Sequence, residues 1–360
     1  MTQPMPHVAR MAPYTLVKVP AGDDHTLISL SQNESLRPPS PKVVKAASSV
    51  FTRSMLYPDP DWTELRLALA QHHELNAEYI LCGNGSLDLI GCIARVFAGP
   101  DRSILAPEYA YPFFRSATQM ANARFDIARE SFLTVNVQAI LDSVVADTGI
   151  VFVANPGNPT GTRISRGELE RLRAGLRPDI LLVVDEAYGE FADHLRESCF
   201  DMVNSENTVI LRTFSKAYGM AGFRVGWGLF PPAVAAEMRK VMNPNNVSAV
   251  SQAAAIAAVQ DEKYMRETCE ITTQLREEAT TKLKDAGFDL FPSFTNFVLI
   301  DMGDPESAQN AEAALRRNGI LVRPQGGVGL PHALRMTIGA KQDNEAAISI
   351  LAQCKKEHAR

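Results

Sequence analysis

The stretch from Leu211 to Gly228 reads LRTFSKAYGMAGFRVGWG. Lys216 is its one lysine, with Ser215 beside it and Arg224 eight positions on; most of the rest is apolar or glycine. An amine in apolar surroundings loses hydration, so its pKa falls and it becomes a nucleophile at neutral pH. A hydroxyl and a forked guanidinium close by suit an anion.

Four other stretches place polar or aromatic groups just after an apolar run: GNGS at 83–86, Glu108-Tyr109 after SILAP, NPGNPTG at 155–161, and Asp185-Glu186-Ala187-Tyr188 after LLVV. GNGS opening a helix offers backbone N–H groups and a positive dipole end, through Gly85 and Ser86, with glycine allowing close approach. Together with Ser215 and Arg224 it specifies a phosphate. Asp185, at the end of a buried strand, needs a cationic partner, and a protonated ring nitrogen would serve. Asn158, in a proline-bracketed turn, and Tyr188 can donate to a phenolate oxygen. Tyr109 can stack on a flat ring. A phosphate, a pyridinium, a phenolate, a flat ring and an aldehyde seeking the Lys216 amine describe one molecule, pyridoxal 5′-phosphate (PLP).

The elements that must position these groups are legible in the apolar pattern. YILCG, SILAP, ARFDIA, GIVFVANP, ILLVVDEA, TVILRT and RVGWGLF read as strands, and the runs at 151–154 and 181–184 are apolar on both faces, as in a parallel sheet covered by helices. Strands alternating with helical stretches predict an α/β, doubly wound architecture, whose ligands bind beyond the carboxyl ends of the strands. From about residue 250 long helices take over, to about 286, followed by FVLI, GILVRP and LRMTIG, which predicts a smaller α+β unit. The first 40 or so residues are proline-rich and weakly patterned, and SQNESLRPPSP at 31–41 reads as an extended arm rather than a helix. The expected organisation is an arm over 1–45 packing with the small domain, a large cofactor-binding domain over 46–250, and a small C-terminal domain over 251–360.

With these motifs in this order, the chain resembles the fold-type-I PLP aminotransferases, closest to the histidinol-phosphate aminotransferase family. APYTLVKVP, YPDPDWTELRLALA, PEYAYP and RTFSKAYGMAGFRVGW carry the likeness alongside the stretches above, and it covers nearly the whole chain. It implies a large domain with a mainly parallel seven-stranded sheet between helices. It implies that PLP is held covalently as an aldimine to Lys216, which shuttles the substrate proton, while Asp185 keeps the ring nitrogen protonated. Asn158 and Tyr188 would bond the ring oxygen, Tyr109 would lie on the ring, and Gly85, Ser86, Thr213, Ser215 and Arg224 would hold the phosphate. Tyr57 would reach the neighbouring subunit's phosphate in a homodimer with shared active sites. Arg335 would grip a substrate carboxylate or phosphate, with Arg323, Tyr14 and Asn33 assisting. The implied reaction is transamination between an amino donor, histidinol phosphate or an aromatic amino acid, and a 2-oxo acid such as 2-oxoglutarate, in histidine biosynthesis. A decarboxylase of an O-phospho amino acid and a non-catalytic PLP-binding regulator are the competing readings. Two departures bear on substrate: GSLD at 85–88, where the family has GSDE, and NESLRPPSP at 33–41, with an extra Arg37 near substrate.

The remaining features exclude other classes. A net charge of −5 does not suit a non-specific nucleic-acid binder. Five scattered cysteines without a C-x-x-C pair fit a reducing compartment, and neither a secretory h-region nor an apolar run of membrane-spanning length is present, so the expected place is the cytoplasm. His72 and His73 in HHE point about 100° apart on a helix, so no metal is expected there, only a solvated helix end. GGVG at 326–329 lacks the spacing of a dinucleotide fingerprint and reads as a loop near substrate.

Overall fold

The computed structural model describes residues 2–13, 27–195, 197–204 and 207–358. A seven-stranded sheet takes the strands in the order Ile80–Gly83, Gly226–Leu229, Thr208–Thr213, Leu181–Asp185, Thr148–Ala154, Ser103–Pro107, Phe125–Ala128. Gly226–Leu229 runs antiparallel to both neighbours, and every other pairing is parallel. This is the mainly parallel sheet expected. Parallel neighbours need crossovers, which here are helices such as Pro112–Met120 and Arg166–Gly175. They seal both faces, so Leu182, Val183 and Val184 have no exposed surface.

That direction rule gathers the chemistry. Ile80–Gly83 and Thr208–Thr213 are both antiparallel to the strand between them, so they run parallel to each other and to the other four. The carboxyl ends of all six therefore open on one edge. Register then aligns the rows: Ala154 faces Asp185, which faces Leu211, while Gly83 and Thr213 both face Gly226.

A second sheet is antiparallel throughout, in the order Arg323–Gln325, Leu330–Thr337, Phe297–Asp301, Asp289–Leu290. Its core includes Leu283, Val298, Ile300, Leu315, Met336 and Leu351. The helix Glu262–Asp285 enters from the other core: Met265 and Cys269 pack with the large sheet, Ala279 and Leu283 with the small one. The arm joins the small sheet's side. Ile28–Ser29 pairs in parallel with Ile320–Leu321, and Thr337 N donates to Leu30 O at 2.9 Å.

Residues 31–40 form no helix, as expected of the arm, while well ahead of them Pro6 at N1, with its φ already helical, starts a four-residue helix over Pro6–Ala9. One local expectation is corrected. His73 does not end in solvent: its ring lies 5.1 Å from that of Trp227 and 5.2 Å from that of Phe200, and burial pushes its pKa down to about 3.

Candidate active site

The helix Ser86–Phe97 starts behind Gly85, whose φ of 84° a residue with a side chain rarely adopts. A Cβ there would stand 2.6 Å from Arg224 Nη2, so the glycine lets the guanidinium close on the helix start. Arg224 Nη1 lies 3.4 Å from Ser215 Oγ, and Thr213 Oγ1 donates to the same oxygen at 3.0 Å. Gly226, facing both Gly83 and Thr213, must also be bare: a Cβ would come within 2.8 Å of Gly85 C. Two strand ends, a helix N-terminus and a guanidinium thus converge on a cradle fit for one phosphate. Leu87 leaves this intact, and Asp88 Oδ2 accepts from Asn84 N at 3.0 Å, so the departure at GSLD ties the loop down.

Asp185 ends its strand only 4% exposed, and its Oδ1 accepts from Ala187 N at 3.1 Å. Burial, with the Glu186 charge adding, raises its pKa from 3.8 to about 7. That shift corresponds to roughly 4 kcal/mol against the charged form. The strand tolerates it because the preceding Leu182, Val183 and Val184 each contribute about 1.5–3 kcal/mol by burial. A cation set against Asp185 would restore its charge.

Lys216, half-buried, donates from Nζ to Asn33 O at 3.0 Å and Gln32 O at 3.3 Å. Burial lowers its pKa to about 7, Arg335 and Arg224 push the same way, and Glu34 and Asp185 oppose them. Asn33 is the hub of the arm. Its backbone is left-handed (φ 55°), Nδ2 donates to the Tyr188 hydroxyl at 2.7 Å, and its N–H donates to Thr337 Oγ1 at 3.0 Å. Arg335, 9% exposed, donates from Nη1 to Asn158 Oδ1 at 2.6 Å and from Nη2 to Ser31 O at 2.8 Å. Arg323 faces Arg335 across the small sheet, which sets two guanidinium groups on one face. Tyr109 donates its N–H to Glu130 Oε1 at 3.1 Å and packs with Leu133 against Leu299, Leu330 and Ala333.

The structure therefore brings together Gly85, Thr213, Ser215 and Arg224 in one cradle, and gathers two hydrogen-bonded groups on the arm: Lys216 and Tyr188 on Asn33, and Arg335, with Asn158, on Ser31. Tyr57 stands apart, 88% exposed. Tyr14 lies outside the described residues. Arg37 is not at the lysine: its guanidinium lies 3.9 Å from the centre of the Tyr264 ring and 3.6 Å from Glu267.

Sequence reasoning missed Arg212. Only 2% exposed, it holds Glu186 at 2.9 Å, Asp193 at 3.1 Å and Glu190 at 3.3 Å, and so fixes the segment that follows Asp185 and carries Tyr188. Three acidic residues within eight positions after a buried strand were the available signal of a buried cation.

Residues 25–351 match the family model for aminotransferase class I and II. The chain belongs to this family. This class I and II aminotransferase matches its relatives over nearly their full length. The histidinol-phosphate aminotransferase of Hyphomonas neptunium is 37% identical over 356 residues, covering 97% of this chain and 96% of its own. That of Rhodospirillum centenum is 37% identical over 353 residues, 97% of each. Among solved structures, the Sinorhizobium meliloti histidinol-phosphate aminotransferase, in complex with pyridoxal 5′-phosphate, matches with a TM-score of 0.92 at 26% identity over 99% of both chains. These relatives favour a transaminase over a decarboxylase or a silent regulator.

Proposed function

We propose that this aminotransferase works with PLP and takes L-histidinol phosphate as amino donor and 2-oxoglutarate as acceptor, in histidine biosynthesis. The facing pair Arg323 and Arg335 carries the choice of substrate. One donor bears a phosphate where amino acids bear a carboxylate, and the acceptor bears carboxylates. A guanidinium fork matches both anions, so one site serves both half-reactions. The full-length relatives named for this activity support the same reading.

The residues present fit the cofactor. Bare Gly85 and Gly226 let Arg224 and the helix start close up beside Ser86, Thr213 and Ser215, a donor set that suits a phosphate, and Asp185 is a buried carboxylate in want of a cation. Asn158 and Tyr188 would hold the ring oxygen and Tyr109 the ring face. When bound, PLP supplies an electron sink for the electrons left behind as the donor loses its α-proton. The chain's own part is to place the groups around it. Lys216 Nζ, with a pKa near 7, is an amine able to take that proton and return it. Arg335 orients the donor while keeping Asn158 in line. Asn33 brings the arm down over Tyr188 and Lys216 and excludes water.

The proposed organisation is an arm over 1–45, a cofactor-holding domain over 46–250 and a small domain over 251–360. A homodimer is supported by an exposed apolar run, with Phe51 at 59%, Met55 at 79% and Leu56 at 62%, that ends at Tyr57. Tyr57 then serves the partner's phosphate. A cytoplasmic location accords with five cysteines that are all free. Among the described residues no helix is long and apolar enough to cross a membrane.

A panel of donors mixed with holoenzyme tests the substrate. Histidinol phosphate should discharge the cofactor absorbance faster than phenylalanine, tyrosine or O-phosphothreonine, and 2-oxoglutarate should yield glutamate without carbon dioxide. No half-reaction with histidinol phosphate would refute the assignment.

A further inference from the structure

Ser131 and Thr134 close a two-residue turn by exchanging backbone hydrogen bonds, each 3.0 Å. Its central residues, Phe132 and Leu133, have φ of 52° and 55°. Turns with two positive φ values favour Asn, Asp and Gly, because bulky side chains are strained there. Here both positions are large and apolar, and Phe132, 87% exposed, gains no packing in return. Such strain persists only where the surroundings over-determine it.

The surroundings lead to Tyr109. Leu133 packs with Tyr109 against Leu299, Leu330 and Ala333. Leu133 O accepts from Thr162 Oγ1 at 2.6 Å, in the segment following the loop that carries Asn158. Just before the turn, Glu130 Oε1 accepts the Tyr109 N–H, while Oε2 is buried with no hydrogen-bond partner among the described residues. A buried carboxylate half of which is unpartnered does not stabilise a fold. Leu299 faces Arg335 across the small sheet, and Ala333 is two residues from Arg335 on the same strand, so both share its face. The cluster therefore joins Tyr109 to the face that carries Arg335.

We propose that Glu130 and Leu133 are positioning residues, held by the strained turn so that Tyr109 is fixed between the cofactor edge of the large sheet and the Arg335 face of the small one. This rests on the placement of Tyr109 at the ring given above. Glu130 acts through the Tyr109 backbone, and Leu133 through its side chain.

The test compares Tyr109→Ala, Glu130→Ala, Glu130→Gln, Leu133→Gly and Phe132→Asn. Three quantities are read: the dissociation constant of PLP by fluorescence, the KM and kcat of the donor half-reaction, and the melting temperature of the cofactor-free chain. Tyr109→Ala should weaken PLP or donor binding, and Glu130→Ala and Leu133→Gly should each reproduce about a tenfold part of that loss. Glu130→Gln should recover most of it, because an amide oxygen still accepts the Tyr109 N–H. Phe132→Asn should raise the melting temperature and move neither constant, since it relieves φ without touching the cluster. If Tyr109→Ala is impaired while Glu130→Ala and Leu133→Gly bind PLP and donor like the wild type, positioning is wrong and the reading of Tyr109 stands. If Tyr109→Ala itself behaves as wild type, that reading falls and takes the positioning role with it.

Discussion

Arg335 and Asn158 are joined directly, Nη1 to Oδ1 at 2.6 Å, although one lies on the small sheet and the other in a loop at the edge of the large one. The same guanidinium reaches Ser31 O in the arm at 2.8 Å. Three parts of the chain thus meet on one planar fork. Lysine keeps the charge and loses the geometry. Arg335→Lys should raise the KM of both donor and 2-oxoglutarate by at least about tenfold, measured in the separate half-reactions. Equal KM values for mutant and wild type would remove Arg335 from the substrate site.

Lys216 titrates at about 7, against an ordinary 10.5, with burial and then Arg335 as the leading causes. The cofactor-free chain should therefore react with an amine-directed reagent at position 216 with a midpoint near pH 7, and Arg335→Met should move that midpoint up. Because the folded pKa is depressed, the unfolded chain binds the extra proton between pH 7 and 10.5. This group makes stability rise with pH across that window.

Asp185 carries the opposite sign. Its folded pKa, about 7, lies above the 3.8 of the free group, so the cofactor-free chain loses stability from it as pH rises from 3.8 to 7. Asp185→Asn should flatten that slope in denaturant melts. In the holoenzyme the same change leaves a buried cation without its partner and should lower kcat by about 10²–10³-fold.

Gly226→Ala forces a methyl against Gly85 C, at 2.8 Å, and against the Arg212 carbonyl, at 3.1 Å. Backbone cannot swing aside as a side chain can. The substitution should weaken PLP binding at least about tenfold and destabilise the chain by about 1–3 kcal/mol.

Tyr57 tests the shared site. Tyr57→Ala and Lys216→Ala homodimers should each be impaired, and mixed subunits should regain roughly a quarter of wild-type activity, because each heterodimer restores one complete site. No gain on mixing would place Tyr57 outside the partner's site.

The strands and the cradle were legible because burial on both faces and bare glycines leave a local mark. LLVV before Asp185 could only be a covered strand, and GNGS could only be useful at a helix start. What was not legible depends on partners distant in sequence. Asn33 meets Tyr188 155 residues on, and nothing around Asn33 announces it. Arg212 looked like the tail of a strand, although its role is set by Glu186, Glu190 and Asp193. His73 showed which helix face it occupied, not that Trp227 lay across from it. Arg37 stood next to site residues in sequence and points to Tyr264 instead.

The most direct test is borohydride reduction of the holoenzyme followed by peptide mapping by mass. A cofactor-sized adduct on the peptide containing Lys216, absent in Lys216→Ala, is the predicted result. An adduct on another lysine, or none, would contradict the assignment of Lys216.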